Sequence, residues 1–185
     1  MAWIRIVDDA EATGQLKEIY DQIRGKRGKV ANIIKVQSLN PEAMKAHMDL
    51  YYCLMFGKSG LTRPERELIA VVVSAANRCI YCVNHHAEAL NHYWSDEEKL
   101  QRLVKDVDFT DLPERSRRVL LYAVKLTLTP SDMDATDIDT LRQHGFKDRD
   151  ILDINLIVSY FNFANRIATG LGVDVTPEEV QGYKY

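Results

Sequence analysis

The run Asn77-Arg78-Cys79-Ile80-Tyr81-Cys82-Val83-Asn84-His85-His86 sets two thiols beside two imidazoles. On an α-helix each residue turns by about 100°, so Cys79, Cys82 and His86, three and four residues apart, share one face. Two thiols at that spacing suit a Cys-X-X-Cys redox pair. An imidazole one turn further on is near enough to take or give a proton. Asn77-Arg78 follows a strongly apolar segment, and Asn suits a left-handed helix end. A turn there puts both cysteines in the first turn of the next helix, on an exposed flank, where unpaired amides and the helix dipole favour a thiolate. Folding back at the same turn brings Glu67 opposite positions 86–88, facing His86 and not the cysteines. A carboxylate in that place fixes the imidazole's orientation, which gives a relay from Glu67 through His86 to Cys82.

The elements that must position these groups read as helices almost throughout. Apolar residues recur at helical spacing over 9–24, with Gly25 and Gly28 ending the segment. Pro41 opens a helix to about Phe56, closed by Gly57 and Gly60. Thr62 caps the next, to Ala76, and Thr62 with Glu65 forms a capping box. Further helices are expected from Cys79 to Tyr93, from a Ser95 cap to Lys105, from Leu112-Pro113-Glu114 to Leu128, from a Ser131 cap to His144, and from an Asp148 cap to Ala168. The last is apolar on most sides, which predicts a central or interfacial helix. Strand patterns are absent, so the fold class is all-α. With 185 residues, 46% hydrophobic and 28% charged, the chain fits a single domain over 1–185.

Net charge is −3, so no basic footprint points to nucleic acid. The run Arg24 to Lys29 reads as a solvated loop. The apolar run Leu68 to Ala76 falls far short of the roughly 18–20 residues that span a bilayer, and the first residues lack a secretory pattern. A cytoplasmic protein without membrane contact is expected. In such a reducing compartment a close cysteine pair indicates redox or metal chemistry.

Glu67, followed twelve residues on by Cys79-X-X-Cys82-X-X-X-His86, resembles the active-site pattern of the AhpD-like alkylhydroperoxidases of the carboxymuconolactone decarboxylase superfamily. Leu61-Thr-Arg-Pro-Glu-Arg-Glu-Leu before it and Tyr160-Phe-Asn-Phe-Ala-Asn-Arg-Ile-Ala after it resemble the peroxidase-related branch. The resemblance implies an all-helical fold, assembly into dimers, trimers or hexamers, and thiol-dependent reduction of organic hydroperoxides. It implies that Cys82 is the peroxidatic thiol, Cys79 its disulfide-forming partner, and Glu67 with His86 the proton relay. No metal, haem or flavin is then required, and the reductant is a lipoyl protein, a thioredoxin-like protein or a small thiol. Tyr81 stands where well-studied members have a second histidine. A dithiol-disulfide oxidoreductase acting on proteins or lipoamide, and a non-enzymatic redox sensor, are the alternatives.

Blander readings stand beside these. Glu67, Cys79, Cys82 and His86 are chemically suited to zinc, but the sequence lacks the second ligand pair of common structural sites. Cys53 reads as a buried small hydrophobe, His85 as a surface or interface residue, and His47, His92 and His144 as structural. Met44, Met48, Tyr51, Tyr52 and Met55 read as core; as a pocket they would suit an apolar hydroperoxide. Asn162, Asn165 and Arg166 either satisfy buried partners or line the site.

Overall fold

The protein is described from a computed structural model covering residues 2–106 and 111–184. Among these residues the regular structure is all helical: α1 (Gly14–Arg27), α2 (Asn32–Lys35), α3 (Pro41–Phe56), α4 (Arg63–Ala76), α5 (Ile80–Trp94), α6 (Glu97–Asp106), α7 (Glu114–Leu128), α8 (Ala135–Gln143), α9 (Asp148–Gly170) and α10 (Pro177–Val180), with a 3₁₀ turn at Pro130–Asp132. No helix among them is long and apolar enough to cross a membrane.

Helix α4 is the axis of the fold. Its residues Leu68 to Val73 are all buried, because the run is apolar on every side and needs neighbours all round. Those neighbours are α5, α7 and α9. Each buried Leu, Ile or Val contributes about 1.5–3 kcal/mol, so this helix is the most firmly held element. Its start is the expected capping box: the Thr62 side chain accepts from Glu65 N, and the Glu65 side chain accepts from Thr62 N. Helix α9 is central as predicted, burying Ile154, Ile157, Val158 and Phe161, while Leu152, Leu156 and Phe163 remain exposed on one side.

Several boundaries differ from the sequence reading. Helix α1 starts at Gly14, and it continues through Gly25 until Gly28 adopts φ 88°. Ser95 is not a start but a left-handed stop for α5; Asp96 caps α6 by accepting from Lys99 N. Asp134, not Ser131, caps α8, since Pro130–Asp132 forms its own tight turn. Helix α9 is closed at its start by Asp150, whose side chain accepts from Lys147 N; Asp148 is already helical. At α6, α8 and α9 the acceptor used lies within three residues of the expected one.

Candidate active site

The turn between α4 and α5 creates the site. Cys79 N donates to Ser74 O and Arg78 N to Ala75 O, the paired bonds of a Schellman helix end. The left-handed residue is Arg78 (φ 56°), not Asn77. Asn77 instead pins the turn to α9, donating from Nδ2 to Asn162 Oδ1 at 3.0 Å and Asn165 Oδ1 at 2.9 Å. Asn165 in turn donates to Ser74 Oγ and reaches the Cys82 thiol. The asparagines of α9 thus hold the cysteine turn. Arg166 is exposed and bonds back to Asn162.

Cys79 is the N-cap of α5 and Cys82 lies in its first turn. Both are free thiols and both are buried, 2% and 3% exposed, so the pair is enclosed and not on an open flank. They are hydrogen-bonded to each other. The Cys82 thiol, its backbone N–H and the Thr169 hydroxyl all serve the Cys79 sulfur, and against the opposing effect of burial they bring Cys79 down to about 7. Cys82, as donor to that sulfur and itself buried, is held well above its ordinary value. Of the two thiols Cys79 is thus the more acidic, its sulfur being the acceptor in their mutual contact.

Glu67 is wholly buried. Its Oε2 accepts from His86 Nδ1 at 2.7 Å, and its Oε1 accepts from Arg63 Nε at 2.8 Å, with Arg63 Nη2 in ion-pair contact at 2.5 Å. Burial pushes this carboxyl up, but His86 and Arg63 together outweigh it and hold the group below its usual value. The α4–α5 hairpin thus brings Glu67 to His86, as the fold-back argument required. Arg63, on which sequence spacing was silent, makes Glu67 a shared anion. With its oxygens so engaged, Glu67 does not converge with the sulfurs as a ligand set; no metal-holding group of three or more His, Cys, Asp or Glu occurs among the described residues.

Cys82, Glu67 and His86 open onto one cavity of about 90 Å³, walled by Ile33, Met48, Tyr51, Tyr160 and Phe161 among others. It has room for a compact organic molecule or a few waters. The Met/Tyr stripe is thus divided: Met44 and Met55 are core, while Met48 and Tyr51 reach the cavity. Cys53, expected inside, is exposed, because it lies off the inward side of α3 that carries Met44, Met48 and Met55.

A second polar cluster adjoins the first, organised by Glu179, which the sequence reading missed. Glu179 Oε1 accepts from Tyr81 Oη and from Asn32 N, each at 2.7 Å. His85, read as a surface or interface residue, is largely enclosed within the chain itself. It stacks on Tyr81 at 4.4 Å between ring centroids and faces Glu179 at 3.5 Å. Burial lowers His85, with Glu179 opposing. The Tyr81 oxygen also accepts from Ile33 N at 3.1 Å, so its hydroxyl is committed and does not serve as a free acid beside the sulfurs. Arg27 and Lys29, expected in a solvated loop, instead hold the chain's final segment: Lys29 Nζ donates to Glu178 O at 2.6 Å and Glu179 O at 2.9 Å, and Arg27 Nη1 to Lys184 O at 2.5 Å.

Residues 41–125 match the family model described as the carboxymuconolactone decarboxylase family. A solved structure of an uncharacterized peroxidase-related protein from Silicibacter sp. TM1040 is 33% identical, with a TM-score of 0.83 over 95% of this chain and 94% of that one. Another, described as an alkylhydroperoxidase AhpD core, is an uncharacterized peroxidase-related protein from Ralstonia eutropha JMP134. It is 29% identical, with a TM-score of 0.87 over 97% of this chain and 94% of that one. The debrominase Bmp8 is 19% identical, with a TM-score of 0.78 over 94% of this chain and 91% of that one, a likeness that carries the fold alone.

Proposed function

The chain belongs to the carboxymuconolactone decarboxylase superfamily, in its AhpD-like, peroxidase-related branch, and from that premise we propose that it is a thiol-dependent peroxidase acting on organic hydroperoxides through Cys82 and Cys79. The observation that carries the reading is that Cys82 lines a largely apolar cavity beside the Glu67–His86 pair while hydrogen-bonded to Cys79.

Chemistry starts when the proton between the sulfurs passes to Cys79, leaving the charge on Cys82 in the cavity. The Cys82 thiolate attacks the terminal oxygen of ROOH; the O–O bond breaks, giving Cys82 sulfenic acid and RO⁻. His86, whose Nδ1 is committed to Glu67, presents Nε2 as the nitrogen that delivers a solvent proton to RO⁻. The Cys79 thiol then displaces water from the sulfenic acid, and the Cys79–Cys82 disulfide forms. Two electrons from an external dithiol or two thiols restore the pair. The deep burial of both sulfurs favours a narrow reductant, a lipoyl arm or a small thiol, over a flat protein face. It also speaks against the dithiol-disulfide oxidoreductase alternative with protein substrates.

The test is consumption of cumene hydroperoxide by wild type, Cys82→Ser and Cys79→Ser with a regenerating dithiol. Cys82→Ser abolishes the first oxidation; Cys79→Ser undergoes one oxidation, accumulates sulfenic acid and forms no disulfide. Turnover of both variants at the wild-type rate would overturn the assignment.

A further inference from the structure

A third hydrogen-bond chain reaches the cavity through residues to which the mechanism above gives no part. His47 is buried on α3. Its Nε2 lies 2.7 Å from Tyr160 Oη and its Nδ1 lies against the Gln37 side chain. Gln37 Nε2 donates to Ile33 O at 2.7 Å, which fixes which end of the amide is nitrogen. The same nitrogen lies 2.8 Å from His47 Nδ1, nearer than Gln37 Oε1 at 3.0 Å. Two N–H groups cannot face each other at that distance, so Nδ1 accepts the second amide proton. Burial drives His47 down to about 4, so the ring is neutral and carries a single proton, on Nε2. That proton goes to Tyr160 Oη.

The consequence falls on Tyr160. Its oxygen receives from His47, so its own O–H proton is not spent on that bond, and no other hydroxyl partner occurs among the described residues. Tyr160 lines the cavity with Cys82, and burial, with Tyr51 and Cys82 adding to it, keeps the phenol protonated. The rings packed around it are those of Tyr51, Phe161, Phe163 and His47.

We propose that Tyr160 is a catalytic hydrogen-bond donor, oriented by His47 as a positioning residue, that holds the hydroperoxide's alkoxyl oxygen and stabilises the negative charge growing on it as the O–O bond breaks. The proton stays on Tyr160; RO⁻ is neutralised through His86 as above. The inference rests on the peroxidase reading and adds the group that receives the leaving oxygen. A donor aimed where charge develops, in a site shielded from water, lowers the barrier without reorganising at the moment of reaction.

The test compares two reactions of the same thiol pair in single turnover at one pH: oxidation by cumene hydroperoxide and alkylation by iodoacetamide, which needs the thiolate but no leaving oxygen. Tyr160→Phe should slow oxidation roughly 10- to 100-fold and leave alkylation within about twofold. His47→Leu should match Tyr160→Phe, and the double variant should be no slower than either. His47→Gln, whose amide nitrogen can replace Nε2–H, should recover most of the rate. Equal losses in both reactions, or an unchanged oxidation rate in Tyr160→Phe, overturn the proposal. A wild type that is alkylated but inert to hydroperoxide overturns the peroxidase reading itself. The donor assignment is judged separately, on wild-type protein, by the His47 tautomer in long-range ¹H–¹⁵N correlation spectra: Nε2–H is expected, and Nδ1–H refutes it even if the variants fail to fold.

Discussion

Replacing Glu67 by glutamine removes one charge and little volume, and the structure fixes what that costs. The carboxylate is 0% exposed and is engaged by Arg63 on one oxygen and His86 on the other. A hydrogen bond to a charged group contributes about 1.5–3 kcal/mol and a neutral one about 0.5–1.5 kcal/mol. Demoting both engagements therefore destabilises the fold by about 2–3 kcal/mol. Arg63, 14% exposed and packed on the Phe56 ring at 3.8 Å, is then left charged without its counter-ion, the costlier half of the loss. In a chain of this length about 1 kcal/mol moves the thermal midpoint by about 2–4 °C, so calorimetry at pH 7 should show a fall of about 4–12 °C. The pH dependence has a definite sign. Burial raises the Glu67 carboxyl, but His86 and Arg63 pull it below its ordinary value. Its stabilisation is complete above the unfolded value of about 4.3 and is lost as pH falls through the folded value. The gap between wild type and variant should therefore close on acidification. Arg63→Met should cost less in the variant than in wild type, by more than about 1 kcal/mol. A midpoint within about 1 °C of wild type at pH 7, or a gap that widens as pH falls, refutes Glu67 as a buried shared anion.

Three further outcomes follow from the cysteine turn. Iodoacetamide alkylation should rise with pH through a midpoint near 7, the value Cys79 takes when Cys82 donates to it; Cys82→Ala should move that midpoint up toward the ordinary thiol value of about 8.5. Arg78→Gly should raise the urea midpoint by the equivalent of about 0.5–1 kcal/mol at unchanged m, since it relieves a left-handed residue in an exposed position. Tyr81→Phe leaves Ile33 N without its acceptor and Glu179 without one of its donors, so a loss of about 1–3 kcal/mol is expected, with faster hydrogen exchange over 177–184 and unchanged protection in α4.

What the sequence made legible was local. The Thr62–Glu65 box, the turn after Ala76 and the shared face of Cys79, Cys82 and His86 each depend on neighbours within four residues, and spacing alone states them. The Glu67–His86 contact was reachable because one hairpin decides it. The bond from Tyr81 to Glu179 and that from His47 to Tyr160 were not, because they join residues 98 and 113 apart and nothing local marks either end. A lone histidine on an apolar helix looks structural until the partner above it is known to be a cavity tyrosine. The difference in acidity between the two thiols was also hidden, since it turns chiefly on which sulfur donates to the other. Arg27 and Lys29 were read as solvated for a related reason: their acceptors are backbone carbonyls, which carry no sequence signature.

The tie between Tyr81 and Glu179 has a consequence in time. A ribosome adding about 5–20 residues per second needs roughly 5–20 s to make the 98 residues between them. Throughout that interval the nascent chain carries its redox turn with the anchor still unsynthesised, and Cys53 has already emerged. Until residue 179 is added, the segment that carries Cys79 and Cys82 lacks this long-range tie.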